Sequence, residues 1–297
     1  MNSFYFGINA LRQAYFIQRR LLKEGTIADL VSVGRGEDRA TKGDWESEEI
    51  VINYLKRENI PAKIITEEHG TIELGDKYLV LVDGIDGSSQ MVKNPNCRCG
   101  TIISIAENLN PRYEDFIFAA ITEYVTKNII YGVRGEGVFE IVYENGVEIK
   151  SRFPSFTKKT FSEITKVMVD CYKADYAEGI TEGMDKFEKF MNEHVVQYLE
   201  GKVNVRGGIS SGSMCIDLLS EDVDAVFNMV AKGVFEPPAM YLLTKELGGF
   251  GTDLNGNDLG EKQWKPVGMN LDGALFSSSY EIGNKLIKLL RKDSIWI

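Results

Sequence analysis

The densest chemistry in the sequence is Val82-Asp83-Gly84-Ile85-Asp86-Gly87-Ser88-Ser89. An apolar run, Tyr78 to Val82, leads into one carboxylate, turns through glycine and shows a second carboxylate three residues on. Two carboxylates this close resist joint ionisation unless a cation sits between them. Hard cations such as Mg²⁺ take oxygen ligands, backbone carbonyls included. Asp83, the Ile85 carbonyl and Asp86 offer three such oxygens from one turn. The same residues also suit an Asx-type turn with two solvated aspartates. Upstream, Thr66-Glu67-Glu68-His69 reads by itself as a charged, solvated loop. In Thr41-Lys42-Gly43-Asp44, the plain reading of Asp44 is a helix N-cap.

Rival chemistries fail on spacing. An EF-hand loop needs Glu at its twelfth position; counted from Asp83 that residue is Asn94, and counted from Asp253 it is Trp264. Gly208-Ile209-Ser210-Ser211-Gly212 matches a serine-hydrolase elbow, but that chemistry orders its residues Ser, Asp, His, and no histidine follows Ser210. The segment reads better as a helix start whose N–H groups are capped by serines or hold an anion. The only histidines are His69 and His194, which excludes HExxH and three-histidine metal sites. Cys97 and Cys99 are too close in sequence for an ordinary disulfide framework, and no second Cys or His pair lies at zinc spacing. With Cys171 and Cys215 they read as reduced thiols of a cytoplasmic protein.

These groups need a scaffold. A chain of 297 residues, 43% hydrophobic and 26% charged, has ordinary globular composition and room for one large domain or two packed lobes. A net charge of −10 argues against a nucleic-acid partner, but not against an anionic substrate, because bound cations reverse the local field. No apolar run approaches the roughly 18 residues of a membrane span, and Met1 to Leu22 reads as an amphipathic helix without the features of a secretion signal. Helical periodicity recurs over Asp44 to Arg57. Strands fit Ala62 to Ile65, Tyr78 to Val82 (buried on both faces), Gly100 to Ala106, Phe116 to Glu123 and Ile129 to Val133. Gly132 to Gly137 and Asn145-Gly146 are hairpin signals. Beyond Pro154, strands at Lys166 to Asp170, Val203 to Val205 and Asp224 to Met229 alternate with helices at Ala174 to His194, Ser211 to Ser220 and Pro237 to Leu247. The change of pattern places a lobe boundary near 150–160.

Taken together, six motifs resemble the inositol monophosphatase / fructose-1,6-bisphosphatase superfamily of metal-dependent, lithium-sensitive sugar phosphatases. Thr41-x-x-Asp44 resembles the family's T-x-x-D, Glu67-Glu68 its E-E, and Asp83 to Ser89 its D-P-[IL]-D-G-[ST]-[ST]. Gly135-x-Gly137-Val-Phe and Asn145-Gly146 resemble its middle hairpins. Gly212-Ser213-Met-Cys-Ile-Asp217-Leu resembles its G-S-x-A-x-x-L helix. Glu236-Pro-Pro-Ala239 through Glu246-Leu-Gly248-Gly249 resembles its last motif. The chain departs from the pattern at Gly84, where Pro is usual, at Ser88, where monophosphatases have Thr, and at Glu236, where they have Asp. The last two match the bisphosphatase branch.

The resemblance implies a layered αβαβα sandwich, with an N-terminal α+β lobe over 1–155 packed on a C-terminal α/β lobe over 156–297. It implies a cytoplasmic phosphoric monoester hydrolase, a homodimer or higher homo-oligomer, with two or three Mg²⁺ ions. Its substrate would be a small sugar or inositol phosphate: fructose-1,6-bisphosphate, inositol-1-phosphate or both. The alternatives are 3′-phosphoadenosine-5′-phosphate and a non-catalytic binding relative. One ion would be held by Glu67, Asp83 and the Ile85 carbonyl, a second by Asp83, Asp86 and Glu236, and a third by Glu67 or Glu68. Asp44 and Ser88, with Glu68, would activate water for in-line attack. The phosphate would sit over Gly87, Ser88 and Ser89, with Ser213 nearby. Asp170, Tyr172 and Lys173 follow a strand end and would line the pocket mouth, while Arg206 and Lys232 would meet a distal phosphate.

Overall fold

Side-chain alternation in one strand sets the layers. In the computed structural model of the chain, which describes residues 4–31, 40–144, 146–162, 165–170, 202–208, 210–228, 234–265 and 273–292, β3 (Tyr78–Asp86) is buried along its whole length. Leu79 and Leu81 enter one hydrophobic cluster, and Tyr78, Val80 and Val82 another on the opposite face. A continuous apolar run is what a strand covered on both faces requires.

Around β3 the first sheet runs β2-β1-β3-β4-β5-β6-β7-β8. Its other strands are β1 (Ala62–Thr66), β2 (Thr71–Glu73), β4 (Gly100–Ala106), β5 (Phe116–Glu123), β6 (Asn128–Val133), β7 (Gly137–Glu144) and β8 (Val147–Arg152). Only β1 and β3 pair in parallel. The hairpin from β6 to β7 turns at Gly135, with φ +79°, where glycine meets no steric cost. Helices α1 (Phe4–Glu24) and α2 (Lys42–Arg57) cover one face through Leu11, Ala14, Val51 and Leu55.

The other face packs on α4 (Ser211–Leu219) and α5 (Glu236–Glu246), through Met214, Leu218, Met240 and Leu243. Beneath them lies a second sheet, β10-β9-β11-β13-β12, made of β9 (Lys166–Asp170), β10 (Asn204–Gly208), β11 (Ala225–Asn228), β12 (Phe250–Asp253) and β13 (Ala274–Ser277). Met168, Val226 and Phe276 point inward to the central helices; Val167, Val169, Phe227 and Leu275 point outward to Ile282 and Leu286 of α6 (Tyr280–Lys292). The order helix, sheet, helix, sheet, helix is the expected αβαβα sandwich.

Several expectations need adjusting. The helix placed over 174–194 lies outside the described residues. The strand at 203–205 runs Asn204–Gly208 instead. The sequence reading had no elements for β2, β12, β13, α6 or the short α3 (Ser88–Lys93). No helix among the described residues is long and apolar enough to cross a membrane.

Candidate metal centre and active site

The expected acidic turn is a strand with a bulge. β3 continues through Asp86, and its register against β4 shifts: Asp83 stands opposite Ile102, whereas Asp86 stands opposite Gly100. In a regular strand, residues three apart point to opposite faces. The extra residue restores the match, so both carboxylates point to one side. Asp83 continues the Leu79–Leu81 row, which faces α4 and α5.

Gly84 faces the other way, toward α2. A methyl group at residue 84 would lie 2.5 Å from the carbonyl oxygen of Asp44 and 2.8 Å from its Cα. The absence of a side chain therefore lets α2 dock on the bulge and fixes Asp44 behind it. The Gly84 carbonyl accepts hydrogen bonds from Thr101 Oγ1 at 2.8 Å and from Gln18 Nε2 at 3.1 Å. Gln18 is fully buried on α1 and also reaches Ser47 Oγ at 2.9 Å. A buried backbone group freed by a bulge needs such partners.

Asp44 is not the helix cap. That position is Thr41, whose hydroxyl accepts from Asp44 N at 3.2 Å while Asp44 Oδ2 accepts from Thr41 N at 3.3 Å, a capping box; the Thr41 hydroxyl also donates to Asp44 Oδ2 at 2.6 Å. One turn along the same face lies Glu48, fully buried. Its Oε1 accepts from the amides of Glu67 at 3.0 Å and Glu68 at 3.2 Å. Its Oε2 accepts from the amides of Glu68 and His69, each at 3.1 Å, and lies 2.9 Å from His69 Nδ1. Glu48 thus pins the loop that carries Glu67 and Glu68, and Trp45 packs on His69 with ring centroids 4.0 Å apart. The sequence reading missed Glu48. Its signal was an acid inside the apolar stripe of α2, in step with Val51, Ile52 and Leu55.

The opposite wall comes from the second half of the chain. Asp86 Oδ2 accepts from Ser210 Oγ and from Gly212 N, both at 2.6 Å. The anion at this helix start is therefore the protein's own Asp86, while Ser210 caps α4 by accepting from Ser213 N at 3.2 Å. Glu236 opens α5 ahead of Pro237 and Pro238, which need no N–H partners there. Asp83, Asp86 and Glu236 are all buried and present carboxylate oxygens within 4.8 Å of one another.

So many acids in one place oppose each other's charge. Burial, then repulsion by Glu67, Asp86, Glu236 and Asp44, holds Asp83 well above the usual carboxylate range. Burial pushes Asp44 up to about 7, against the Thr41 hydrogen bond and helped by Glu68 and Glu48. Glu67 is exposed as a residue, but its carboxyl group stands among other acids. Desolvation there, then Asp44, Glu236, Glu68 and Glu48, pushes it up to about 8.

The remaining expected residues divide. The Ile85 side chain anchors in a buried cluster with Leu21, Ile27 and Met91, leaving its backbone as the part that can serve a ligand. Gly87 has φ +92° and begins α3; Ser88 is half-buried and Ser89 exposed. The Ser213 hydroxyl donates to the Arg98 carbonyl at 2.8 Å and so ties α4 to the bend before β4. Arg206 is exposed on β10, in register with Met168. Tyr172, Lys173 and Lys232 lie outside the described residues.

The model of the inositol monophosphatase family matches residues 5–293. The chain belongs to that family. A Methanocaldococcus jannaschii protein named fructose-1,6-bisphosphatase/inositol-1-monophosphatase is 26% identical over 217 residues, covering 73% of this chain and 72% of the relative. Two solved structures share the fold. The Thermotoga maritima inositol monophosphatase has a TM-score of 0.71 at 19% identity, with both chains fully covered. The Leishmania major fructose-1,6-bisphosphatase has a TM-score of 0.72 at 15% identity, covering 96% of this chain and 93% of that one. At such identity these two show the fold alone. Membership of the family makes the protein a sugar-phosphate phosphatase by class.

The family is metal-dependent, and the residues present fit a hard cation. All the converging side-chain donors are carboxylate oxygens. Asp83 Oδ1 is buried and accepts no hydrogen bond, an arrangement a bound ion would complete.

Proposed function

We propose that this family member is a Mg²⁺-dependent phosphomonoesterase acting on fructose-1,6-bisphosphate, inositol-1-phosphate or both. The reading rests on the convergence of Asp83 and Asp86 with Glu236, which arrives from a distant part of the chain. The loop of Glu67 and Glu68 and the side chain of Asp44 complete the acidic group. Glu67, Asp83 and the Ile85 carbonyl would hold one ion, Asp83, Asp86 and Glu236 a second, and Glu67 or Glu68 a third. When bound, Mg²⁺ supplies positive charge that acidifies water and offsets the charge of the phosphoryl group.

The chain's own groups do the rest. Asp44, with one oxygen held by Thr41, and Ser88 orient the attacking water; Asp44 takes its proton, and Glu68 assists. A base poised near neutrality suits this task. The backbone of Gly87, Ser88 and Ser89 receives the ester phosphate. In this reading residues 1–155 carry most of the ligands, and residues 156–297 close the site through Glu236 and α4. Arg206 and Lys232 are the candidates for a distal phosphate, Tyr172 for the pocket mouth, and Ser213 acts through its tie to Arg98.

Ser88 and Glu236 favour a bisphosphate, and the Methanocaldococcus relative carries both activities in its name. Every carboxylate position of the family pattern is still Asp or Glu, which favours an enzyme over a binding relative. Phosphate release with Mg²⁺ from fructose-1,6-bisphosphate, inositol-1-phosphate and 3′-phosphoadenosine-5′-phosphate tests the reading. Turnover of either of the first two is expected; turnover of the nucleotide alone would overturn it.

A further inference from the structure

Cys97 and Cys99 take no part in the chemistry above, yet they meet. Their sulfurs are 3.4 Å apart, because the chain bends between α3 and β4 and Cys97 N bonds back to the Asn94 carbonyl at 2.9 Å. Both are free thiols. Cys97 keeps a small exposed edge, at 9%, while Cys99 is at 1% and contacts the Tyr124 hydroxyl at 2.9 Å.

The pair is built against the site. A Cβ placed on Gly87, the residue after Asp86, would lie 3.2 Å from Cys99 Cβ and 3.1 Å from Ser210 Cβ, so Cys99 and Ser210 wall that turn on two sides. Arg98, between the cysteines, is held at several points. Its guanidinium binds Glu123 at 2.9 Å and Asp217 at 2.6 Å, and its carbonyl accepts from Ser213. Cys99 thus borders the Gly87 turn, and the Arg98 backbone beside it is tied to α4.

We propose that Cys97 and Cys99 form a reversible disulfide, with a peroxide as oxidant, that slows the phosphatase by displacing the Gly87 turn; the slowing rests on the function proposed above. The Cys97 sulfur attacks a peroxide oxygen. A sulfur–oxygen bond forms, the oxygen–oxygen bond breaks, and the departing hydroxide takes up the thiol proton as water, leaving a sulfenic acid. The Cys99 sulfur then attacks the Cys97 sulfur. The sulfur–sulfur bond forms, the sulfur–oxygen bond breaks, and a second water leaves with the Cys99 proton. Two thiols are oxidised by two electrons and one peroxide is reduced. Cys97 suits the first attack: its contact with Cys99 lowers its thiol pKa, while the same contact and burial raise that of Cys99. The sulfurs must close from 3.4 Å to a bond of about 2.05 Å within a small ring. Strained disulfides of this kind are readily reduced, as a regulatory bond requires.

The test treats the reduced full-length protein with hydrogen peroxide. It then maps peptides under non-reducing conditions, using a protease that does not cut at Arg98. The peptide holding residues 97–99 should lose the mass of two hydrogens. Phosphate release should fall about 10–100-fold, the scale of a displaced reacting group, and dithiothreitol should restore both. Cys97→Ser should keep its basal rate and resist peroxide. Affinity for Mn²⁺, measured by calorimetry before and after oxidation, reports on the site even if no sugar phosphate is turned over; in that case the function fails while the peptide map still decides the disulfide. An unchanged peptide mass, a pairing with Cys171 instead, or a disulfide that alters neither rate nor Mn²⁺ affinity would overturn the proposal.

Discussion

Asp44 has two duties that substitution separates. As a base it must lose a proton; as the third residue of α2 it must accept from Thr41. Asp44→Asn keeps an oxygen for Thr41 and removes the base. The rate should fall by about 10²–10⁴ with the fold intact, whereas Thr41→Ala should cost about 1 kcal/mol of stability through the lost cap. Full activity in Asp44→Asn, with thermal unfolding unchanged, would leave Asp44 only its structural duty. Glu48 makes a sharper case because it reaches no ligand directly. Glu48→Gln would turn an NH₂ group toward backbone N–H donors that now point at a carboxylate. The loop of Glu67 and Glu68 should loosen, and Mg²⁺ affinity should fall about 10–100-fold, the usual scale for lost support of a metal ligand. Calorimetry on the two proteins checks this; equal affinities would free Glu48 of that role.

At the scale of elements, the bulge in β3 turns a sequence motif into a site. Without it Asp83 and Asp86 would face opposite layers. Its partner feature is Gly84, where α2 leaves no space. Gly84→Ala should push α2 away from the bulge and cost about 1–3 kcal/mol as overpacking, with a fall in kcat measured alongside. A wild-type melting temperature and rate would show that α2 is not seated as described. The motif itself was legible: the apolar run, the spaced acids and the helix stop at Gly248 follow from residue types alone. The bulge was not, because nothing in Asp83-Gly-Ile-Asp86 distinguishes a turn from a strand with one extra residue. Gln18 was hidden for a similar reason. A single polar residue in an amphipathic helix reads as surface, and its burial makes sense only beside distant partners, among them the freed Gly84 carbonyl and the Ser47 and Thr101 hydroxyls. The strands β12 and β13 have four residues each, too few to show a period.

Across the whole molecule, the first sheet is joined to the central helices by charged and polar ties as well as by apolar packing. Arg98 spans Glu123 and Asp217, Ser210 holds Asp86, and Glu246 accepts from the amides of Gly135 at 2.8 Å and Gly137 at 2.9 Å. These bring the acids of the first sheet against α4 and α5, at a cost in charge repulsion. The cost has a sign in pH. Asp44 and Glu67 rise from ordinary values of 3.8 and 4.5 to about 7 and about 8 in the metal-free fold. Below pH ~3 both folded and unfolded forms are protonated and no stability is lost. As pH rises the unfolded chain ionises first, so metal-free stability should decline until the folded pKa values are passed. Mg²⁺ binds the ionised form, so the rise in melting temperature that it gives should be larger near pH 8 than near pH 6. A Mg²⁺ shift that shrinks over this range would contradict the description. The most direct test of the central claim is a metal titration of phosphate release from fructose-1,6-bisphosphate and inositol-1-phosphate. Protein stripped with EDTA should release no phosphate from either, and Mg²⁺ should restore release from at least one in a saturable way. Undiminished turnover in EDTA would contradict the account.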